Sequence, residues 1–323
     1  MREQLGGPSG SAPRAGRLRV GVIGAGKVGA VLGAALRAAE HAVTGVTAVS
    51  EASRERAENL LPGVPVLEAR EIVAGSDLVL LAVPDDVLSE LVAGLASLGA
   101  WKPGQLVAHT SGRYGVGVLE PVRAAGAIPL SIHPAMTFTG LSLDLGRLTD
   151  CVFGVTADAP MLPIAQALVI EMGGEPVVIP EEQRVLYHAA LAHGSNHLVT
   201  LASQAAQLLA EIGVAEPERL LAPLLRASLD NALASGESAL TGPVSRGDAG
   251  TVASHREALT GRDALLRQAS EDDGGPRPGG HLAGAGDDIL ESYLAMARAT
   301  LQRAVRQDRL RAEQAAALGD VLG

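Results

Sequence analysis

Four groups of residues in this chain combine types and spacings that could carry chemistry. The first is GAGKVG at 24–29, with Gly24, Gly26 and Gly29 at the spacing G-x-G-x-x-G. Each glycine answers its own steric demand: a tight turn at Gly24, close approach of a pyrophosphate to the backbone at Gly26, and close packing of a following helix at Gly29. Ala25, Lys27 and Val28 complete the loop, whose free N–H groups and helix dipole suit paired phosphates. The second group is His109-Thr110-Ser111-Gly112 and the third is Ser131-Ile132-His133-Pro134. Each follows an apolar run and places hydroxyl and imidazole groups at its end. A histidine near its ordinary pKa of ~6.5 can give a proton to a carbonyl oxygen at neutral pH. Pro134 restricts the backbone that carries His133. The fourth group lies later: His188, Ser195 and Asn196 share one side of a helix, and TGPVSRGD at 241–248 carries Arg246. That guanidinium suits a carboxylate or a phosphate. Structural roles compete with each: a strand cap for His133, a helix–helix hydrogen bond for Asn196, and pairing with Asp248 for Arg246.

The elements that must position these groups follow from periodicity. Residues 18–23 are a Val- and Ile-rich run, the pattern of a strand buried on both faces. Helical spacing continues from the glycines to residue 37. A second strand at 41–49 ends at Ser50, about where an NAD-binding fold places the acid that holds the ribose 2′-hydroxyl. Ser50 is no acid, and Ser53, Arg54 and Arg56 follow, which suits a 2′-phosphate. NADP(H) is therefore favoured over NAD(H), although Glu51 and a solvated helix start leave NAD(H) open. Further strands are expected at 65–67, 76–83, 105–109 and 127–132, and two more at 151–156 and 175–179 around a helix at 160–172. The strand at 76–83 turns at Ala82-Val83-Pro84, the strand end where doubly wound folds bind a cofactor. Asp86 is the expected N-cap of the helix that follows.

This alternation gives an α/β fold, a Rossmann doubly wound parallel sheet over 17–180. Helical patterns alone follow, at 182–212, 216–234, 248–259 and 287–306, so 181–323 reads as an all-helical domain. Residues 1–16 read as a disordered tail and 271–286 as a mobile loop. Acidic residues outnumber basic ones 36 to 26, which excludes a nucleic-acid surface. No apolar run has the ~18 residues of a membrane span. Cys151 is the only cysteine, which fits a reducing compartment, and a cytoplasmic location is expected. The helical part carries more Ala and Leu than its helices can bury on one another, which points to a homodimer.

The combination H-T-S-G, S-x-H-P, G-S-N and T-G-P-x-x-R-G-D resembles the 6-phosphogluconate dehydrogenase-like superfamily. Within it, the chain resembles bacterial predicted oxidoreductases that join a Rossmann-like domain to a C-terminal domain of unknown function. Some proteins similar to that family are alternative ketopantoate reductases. Ser111 and His133-Pro134 also resemble the serine and His-Pro motif of prephenate and arogenate dehydrogenases. One departure stands out. The superfamily's catalytic lysine, four residues before the asparagine, falls on Ala192. The resemblance implies an NADPH-dependent reductase of a small 2-oxo acid, with Ser111 and Asn196 orienting the carbonyl. His133 or His188 would give the proton, and Arg246 would hold the substrate carboxylate. The missing lysine equally suits a non-catalytic NADP(H)-binding sensor or scaffold.

Overall fold

The computed structural model describes residues 16–272 and 288–323. The expected tail at 1–16 and loop at 271–286 fall almost wholly outside them. Two compact units divide the chain between Gly194 and Ser195. Strand patterns stop near 180, but the division comes later because the helix that follows is tied to the sheet by its first turn.

In the first unit, β1 (Arg19–Ile23), α1 (Lys27–Ala38), β2 (Ala42–Val46), α2 (Glu51–Leu60), α3 (Ala69–Gly75), β3 (Leu78–Leu81) and α4 (Asp85–Ser97) come first. Then follow β4 (Leu106–His109), α5 (Glu120–Ala124), β5 (Ile128–Pro134), α6 (Leu143–Arg147), β6 (Val152–Ala157), α7 (Leu162–Glu171), β7 (Glu175–Val178) and the start of α8 (Arg184–Glu211). The strands form one sheet in the order β2-β1-β3-β4-β5-β6-β7. Val20, Val22, Leu78–Leu81 and Val107 are buried because helices cover both faces. One face packs with α1 and α7, the other with α3, α4 and α5.

Four expectations are corrected. The sheet is parallel as far as β5, but β6 runs antiparallel to it, from Leu130↔Ala157 to Pro134↔Phe153. The intervening segment holds only the short α6, so the chain doubles back instead of making a crossover. Residues 65–67 form no strand, only a parallel bridge between Val46 and Val66. Pro65 has no N–H to extend a ladder. Asp86 is not a cap: Pro84 takes the N-cap position of α4, with Asp85 and Asp86 in the first turn, where their charge favours the helix dipole. β5 also runs further than expected, so His133 and Pro134 are strand residues.

The second unit is helical: the rest of α8, α9 (Pro217–Ser235), α10 (Pro243–Arg246), α11 (Ala249–Asp272), α12 (Asp288–Arg306) and α13 (Ala312–Leu322). Pro217 occupies the first turn of α9, where its missing N–H costs nothing. The unit's core is small: Val244, Val252, Ala297, Leu318 and Leu322. Leu220, Leu224, Leu229 and Leu233 of α9 are exposed. No helix among the described residues is long and apolar enough to cross a membrane.

The loop after β5 is fixed by Asp144, whose side chain is fully buried. One carboxylate oxygen accepts from the N–H groups of Thr139 and Gly140 at 2.8 Å and from Thr139 Oγ1 at 3.0 Å. Burial pulls its pKa up, but these hydrogen bonds and Arg147 outweigh it and hold the group below the ordinary carboxylate range. The carboxylate thus stabilises the fold at pH above ~4 and loses that contribution as pH falls through its lowered folded value. Asp144→Ala is expected to cost about 1–3 kcal/mol at pH 7, since buried donors lose their acceptor. Thermal melts at pH 7 and in acid check this, the gap between variant and parent closing in acid.

Candidate functional site

The glycine loop separates the three steric roles cleanly. Gly24 has φ +103°, and a Cβ there would stand 2.4 Å from the Ala82 carbonyl oxygen. A Cβ on Gly29 would stand 2.1 Å from the Gly24 oxygen and 2.8 Å from Ala82 Cβ. Around Gly26, a Cβ would meet nothing within 4 Å. Gly26 is the N-cap of α1 and offers no side-chain cap, so the first N–H groups of that helix face open space. Thr47, just past β2, ties the loop down. Its Oγ1 accepts from Gly24 N–H and its carbonyl from Ala25 N–H, both at 2.8 Å. A bare helix N-terminus with room above one glycine fits the pyrophosphate of a dinucleotide. Val83 is half-buried beside the loop, its Cγ1 3.3 Å from the Cβ position of Gly24. Pro84 is exposed.

At the end of the second strand, Ser50 is exposed and caps α2, its Oγ accepting from Ser53 N–H at 3.2 Å. Arg54 is exposed and Arg56 half-buried, and neither has an ion pair among the described residues. A Cβ on Gly140 (φ +80°) would stand 3.0 Å from Arg56 Nε and 3.1 Å from Lys27 Cγ. Arg56 and Lys27 therefore converge on the loop that Asp144 holds, whereas Arg54 is exposed. The sequence offers Arg54 and Arg56 alike, and what separates them is Gly140, which is remote in sequence.

β4 and β5 lie side by side, His109 opposite Ser131. His109 is fully buried: Nε2–H donates to the Gly115 carbonyl at 2.7 Å and Nδ1 accepts from Ser111 N–H at 3.2 Å. Both nitrogens are spoken for, and burial lowers the pKa to about 4, so this imidazole is a neutral strut. Ser131 Oγ donates to the Tyr114 carbonyl at 3.1 Å, and Ser111 Oγ accepts from Tyr114 N–H at 3.3 Å. Glu181 closes the clamp by accepting from Val116 and Gly117 N–H at 2.7 and 3.0 Å. Ser111 is buried, and its own O–H has no acceptor among the described residues. Arg113, exposed on the same loop, lies over the Tyr114 ring at 4.5 Å and has no acidic partner among the described residues.

The structure brings Gly112, His133 and His188 together. A Cβ on Gly112 would stand 2.7 Å from His188 Cδ2 and 2.9 Å from His133 Nε2. The two rings meet edge to face with centroids 6.2 Å apart. His133 Nδ1 shares a 2.9 Å hydrogen bond with Tyr187 Oη. Burial first, then the charges of Arg184, His188 and His109, lower the His133 pKa to about 4. The expected value near 6.5 is thus corrected: this histidine is neutral at physiological pH. Arg184 is fully buried, with Nε donating to Thr156 Oγ1 at 2.7 Å and Nη2 to the Gly154 carbonyl at 3.0 Å. Tyr187 and Arg184 were missed because a helix start with no acid–base spacing gives no signal in sequence.

In the second unit, Asn196 is exposed and its side chain makes no hydrogen bond among the described residues, which removes the helix–helix alternative. Arg246 is exposed at the end of α10. Asp248 is engaged with Thr251 N–H and Oγ1 at 3.0 and 2.6 Å, so it caps α11 and forms no ion pair with Arg246.

Fold and glycine loop define a dinucleotide-binding protein of the Rossmann type. Residues 5–134 match the Rossmann-like domain and residues 151–271 match a domain of unknown function, DUF2520. The chain thus carries matches to both domains, one after the other. Among solved structures it resembles protein TM1727 from Thermotoga maritima, at 22% identity and TM-score 0.58, over 90% of this chain and 99% of that one. It also resembles an imine reductase from Pseudomonas sp., at 19% identity and TM-score 0.58, over 95% and 100% of the two chains. An imine reductase from Myxococcus stipitatus in complex with NADP+ aligns at 16% identity and TM-score 0.55, over 88% and 94%. At these identities the likeness is one of fold. No curated protein matches the sequence.

The loop geometry separates two substitutions. Gly29→Ala is expected to cost about 1–3 kcal/mol of stability, because its methyl group meets backbone. Gly26→Ala should cost less than about 1 kcal/mol yet weaken dinucleotide binding about tenfold or more. Thermal melts and calorimetric titration of the two variants side by side check the contrast.

Proposed function

We propose that the chain is an NADPH-dependent oxidoreductase that reduces a small carbonyl compound of the 2-oxo acid type, with ketopantoate one candidate. The observation that carries this is the open helix N-terminus at Gly26 on the same sheet edge as the exposed side of His133. The glycine loop would hold the pyrophosphate. Arg56 and Lys27, with Ser50 and Arg54 nearby in the chain, would hold the 2′-phosphate. When bound, the cofactor supplies a hydride to the substrate carbon. His133 gives a proton to the substrate oxygen, and the Ser111 hydroxyl orients that oxygen. Arg113 offers a cation for the substrate carboxylate within the first unit, and Arg246 offers one in the second. Reduction of a C=N compound is the second reading, favoured by the fold likeness to proteins named imine reductases. A cytoplasmic location goes with either reading.

We also propose a homodimer built on the second unit. Its core is small, while Val199, Ile212, Leu224, Leu233 and Leu265 stand exposed. Such apolar surface is usual at an interface. Light scattering at micromolar concentration is expected to give twice the chain mass; a monomer contradicts the proposal.

Calorimetric titration should show tighter binding of NADPH than NADH, and Arg56→Ala should remove most of that preference, with Arg54→Ala removing less. NADPH oxidation should appear with at least one member of a panel of 2-oxo acids and cyclic imines. His133→Ala should lower that turnover by roughly 10²-fold, the scale of a positioned acid, with NADPH affinity kept. Equal affinity for both cofactors, or no oxidation across the panel, overturns the reading.

A further inference from the structure

Arg184 carries a charge that the glycine loop and the strand-end clamp do not explain. Its side chain is 1% exposed and forms no ion pair with a carboxylate. Three neutral acceptors hold it: Thr156 Oγ1, the Gly154 carbonyl and, at 3.4 Å, the Ser131 carbonyl. Nη1 is the one buried side-chain nitrogen or oxygen without a partner among the described residues. Burying a cation with no counter-ion is expensive, and such violations persist at functional sites. The guanidinium carbon lies 5.7 Å from the centre of the Tyr187 ring. Tyr187 Oη reaches His133 Nδ1 at 2.9 Å, and His133 Nε2 borders the bare backbone of Gly112. Guanidinium, phenol, imidazole and a glycine with no room for a side chain therefore stand in sequence.

We propose that Tyr187, backed by Arg184, resupplies His133 with the proton that His133 gives to the substrate. This rests on the reductase reading above. In the resting state the phenol O–H donates to Nδ1, and the ring keeps its proton on Nε2. The reverse arrangement leaves the phenol without an acceptor and presents Nε2 to the substrate with no proton to give. As the substrate oxygen gains its proton, the Nε2–H bond breaks and an O–H bond forms. The Oη–H bond then breaks and an Nδ1–H bond forms, so the imidazole ends neutral with its proton on the other nitrogen. The hydride from the nicotinamide dinucleotide and this proton together convert C=O to CH–OH. The charge left behind is a phenolate next to the Arg184 guanidinium; the Nδ1 proton returns to it as Nε2 takes a proton from solvent, which restores the resting state. The charged and titratable groups facing His133 are Arg184, Tyr187 and His188 from α8 and His109 from β4. The cationic form of the ring is disfavoured by all but the phenol, which suits a relay through a neutral ring. Tyr187 and Arg184 act here through His133 and touch no substrate.

Nitrogen-15 NMR of histidine-labelled protein tests the resting state without cofactor, with the His133 signals assigned by their loss in His133→Gln. The expected spectrum at pH 7 shows a neutral ring protonated on Nε2. A proton on Nδ1, or an imidazolium, overturns the relay. Tyr187→Phe should keep the melting temperature and NADPH affinity while lowering turnover by roughly 10²-fold; unchanged turnover also overturns it. Arg184→Met should raise the His133 pKa from about 4 toward its ordinary value near 6.5. Arg184→Lys should keep it low. If neither arginine variant folds, the tautomer and Tyr187→Phe decide. Loss of dinucleotide binding and of all reduction removes the reductase reading itself. A wrong tautomer in an active enzyme removes the relay alone.

Discussion

Helix α1 can lie against the sheet only because two residues have no side chain. Gly29 approaches the Gly24 carbonyl and Ala82 closer than any Cβ permits, and Gly24 turns under Ala82 with a positive φ. β1 and β3 are neighbours in exact step, Ile23 opposite Leu81, so both strand ends arrive at this contact together. The consequence is directional. With α1 held this close, its first N–H groups point out over Gly26, and Thr47 keeps the turn from relaxing by binding the N–H groups of Gly24 and Ala25. Anion binding at this end then follows from unsatisfied donors and the helix dipole, with no charged side chain required. Lys27 and Arg56 add charge beside the Gly140 loop.

The neighbouring strand ends obey an electrostatic constraint instead. Burial and the charge of Arg184 disfavour a positive charge on His109 and on His133. The two histidines on strands consequently divide their labour by hydrogen bonding. His109 has both nitrogens committed to backbone and serves to hold the loop. His133 commits only Nδ1, which leaves Nε2 beside Gly112. A side chain on Gly112 would run into both His133 and His188, so the glycine of H-T-S-G is needed for the close approach of these rings, whereas one on Gly26 would meet nothing within 4 Å. Tyr187, its pKa raised by burial, remains a phenol at neutral pH and can hold or yield a proton to the ring.

Much of this was legible in the sequence, for identifiable reasons. β1, β3 and β4 are continuous apolar runs because they are buried on both faces, and such runs read directly. The glycine loop reads because each glycine has a separate steric cause at a fixed spacing. Residues 65–67 misled because a Val between Pro and Leu resembles a strand, but the pairing stops at one bridge where Pro65 has no N–H to donate. The reversal at β6 was hidden because direction is set by what connects two strands, and the segment after β5 is irregular. Within the candidate site, Ser111, His133, His188 and Arg56 were singled out from type and position. Gly140, Tyr187 and Arg184 were not, since their meaning lies in contacts made across 50 or more residues, such as Arg184 with Ser131. The helical unit was read as helices, but α10 and α13 were not among them.

The buried guanidinium also bears on which of the two proposed substrates the site suits. A C=N compound is most readily reduced as its iminium, a cation that brings its own proton. Such a substrate asks for a nearby negative charge and needs no acid. Around His133 the nearest fixed charge is positive and the imidazole is kept neutral, so an iminium would meet repulsion and a donor it does not use. A carbonyl compound makes the opposite demands. It gains negative charge on oxygen as the hydride arrives, and it must be given a proton. Arg184 favours the first and the His133–Tyr187 pair can supply the second. A carboxylate on the same substrate would be drawn by the same field and by Arg113, which carries no acidic partner among the described residues. Within the proposed reductase, the electrostatics of the first unit therefore argue for an oxo acid over an imine, whatever fold the imine reductases share with it.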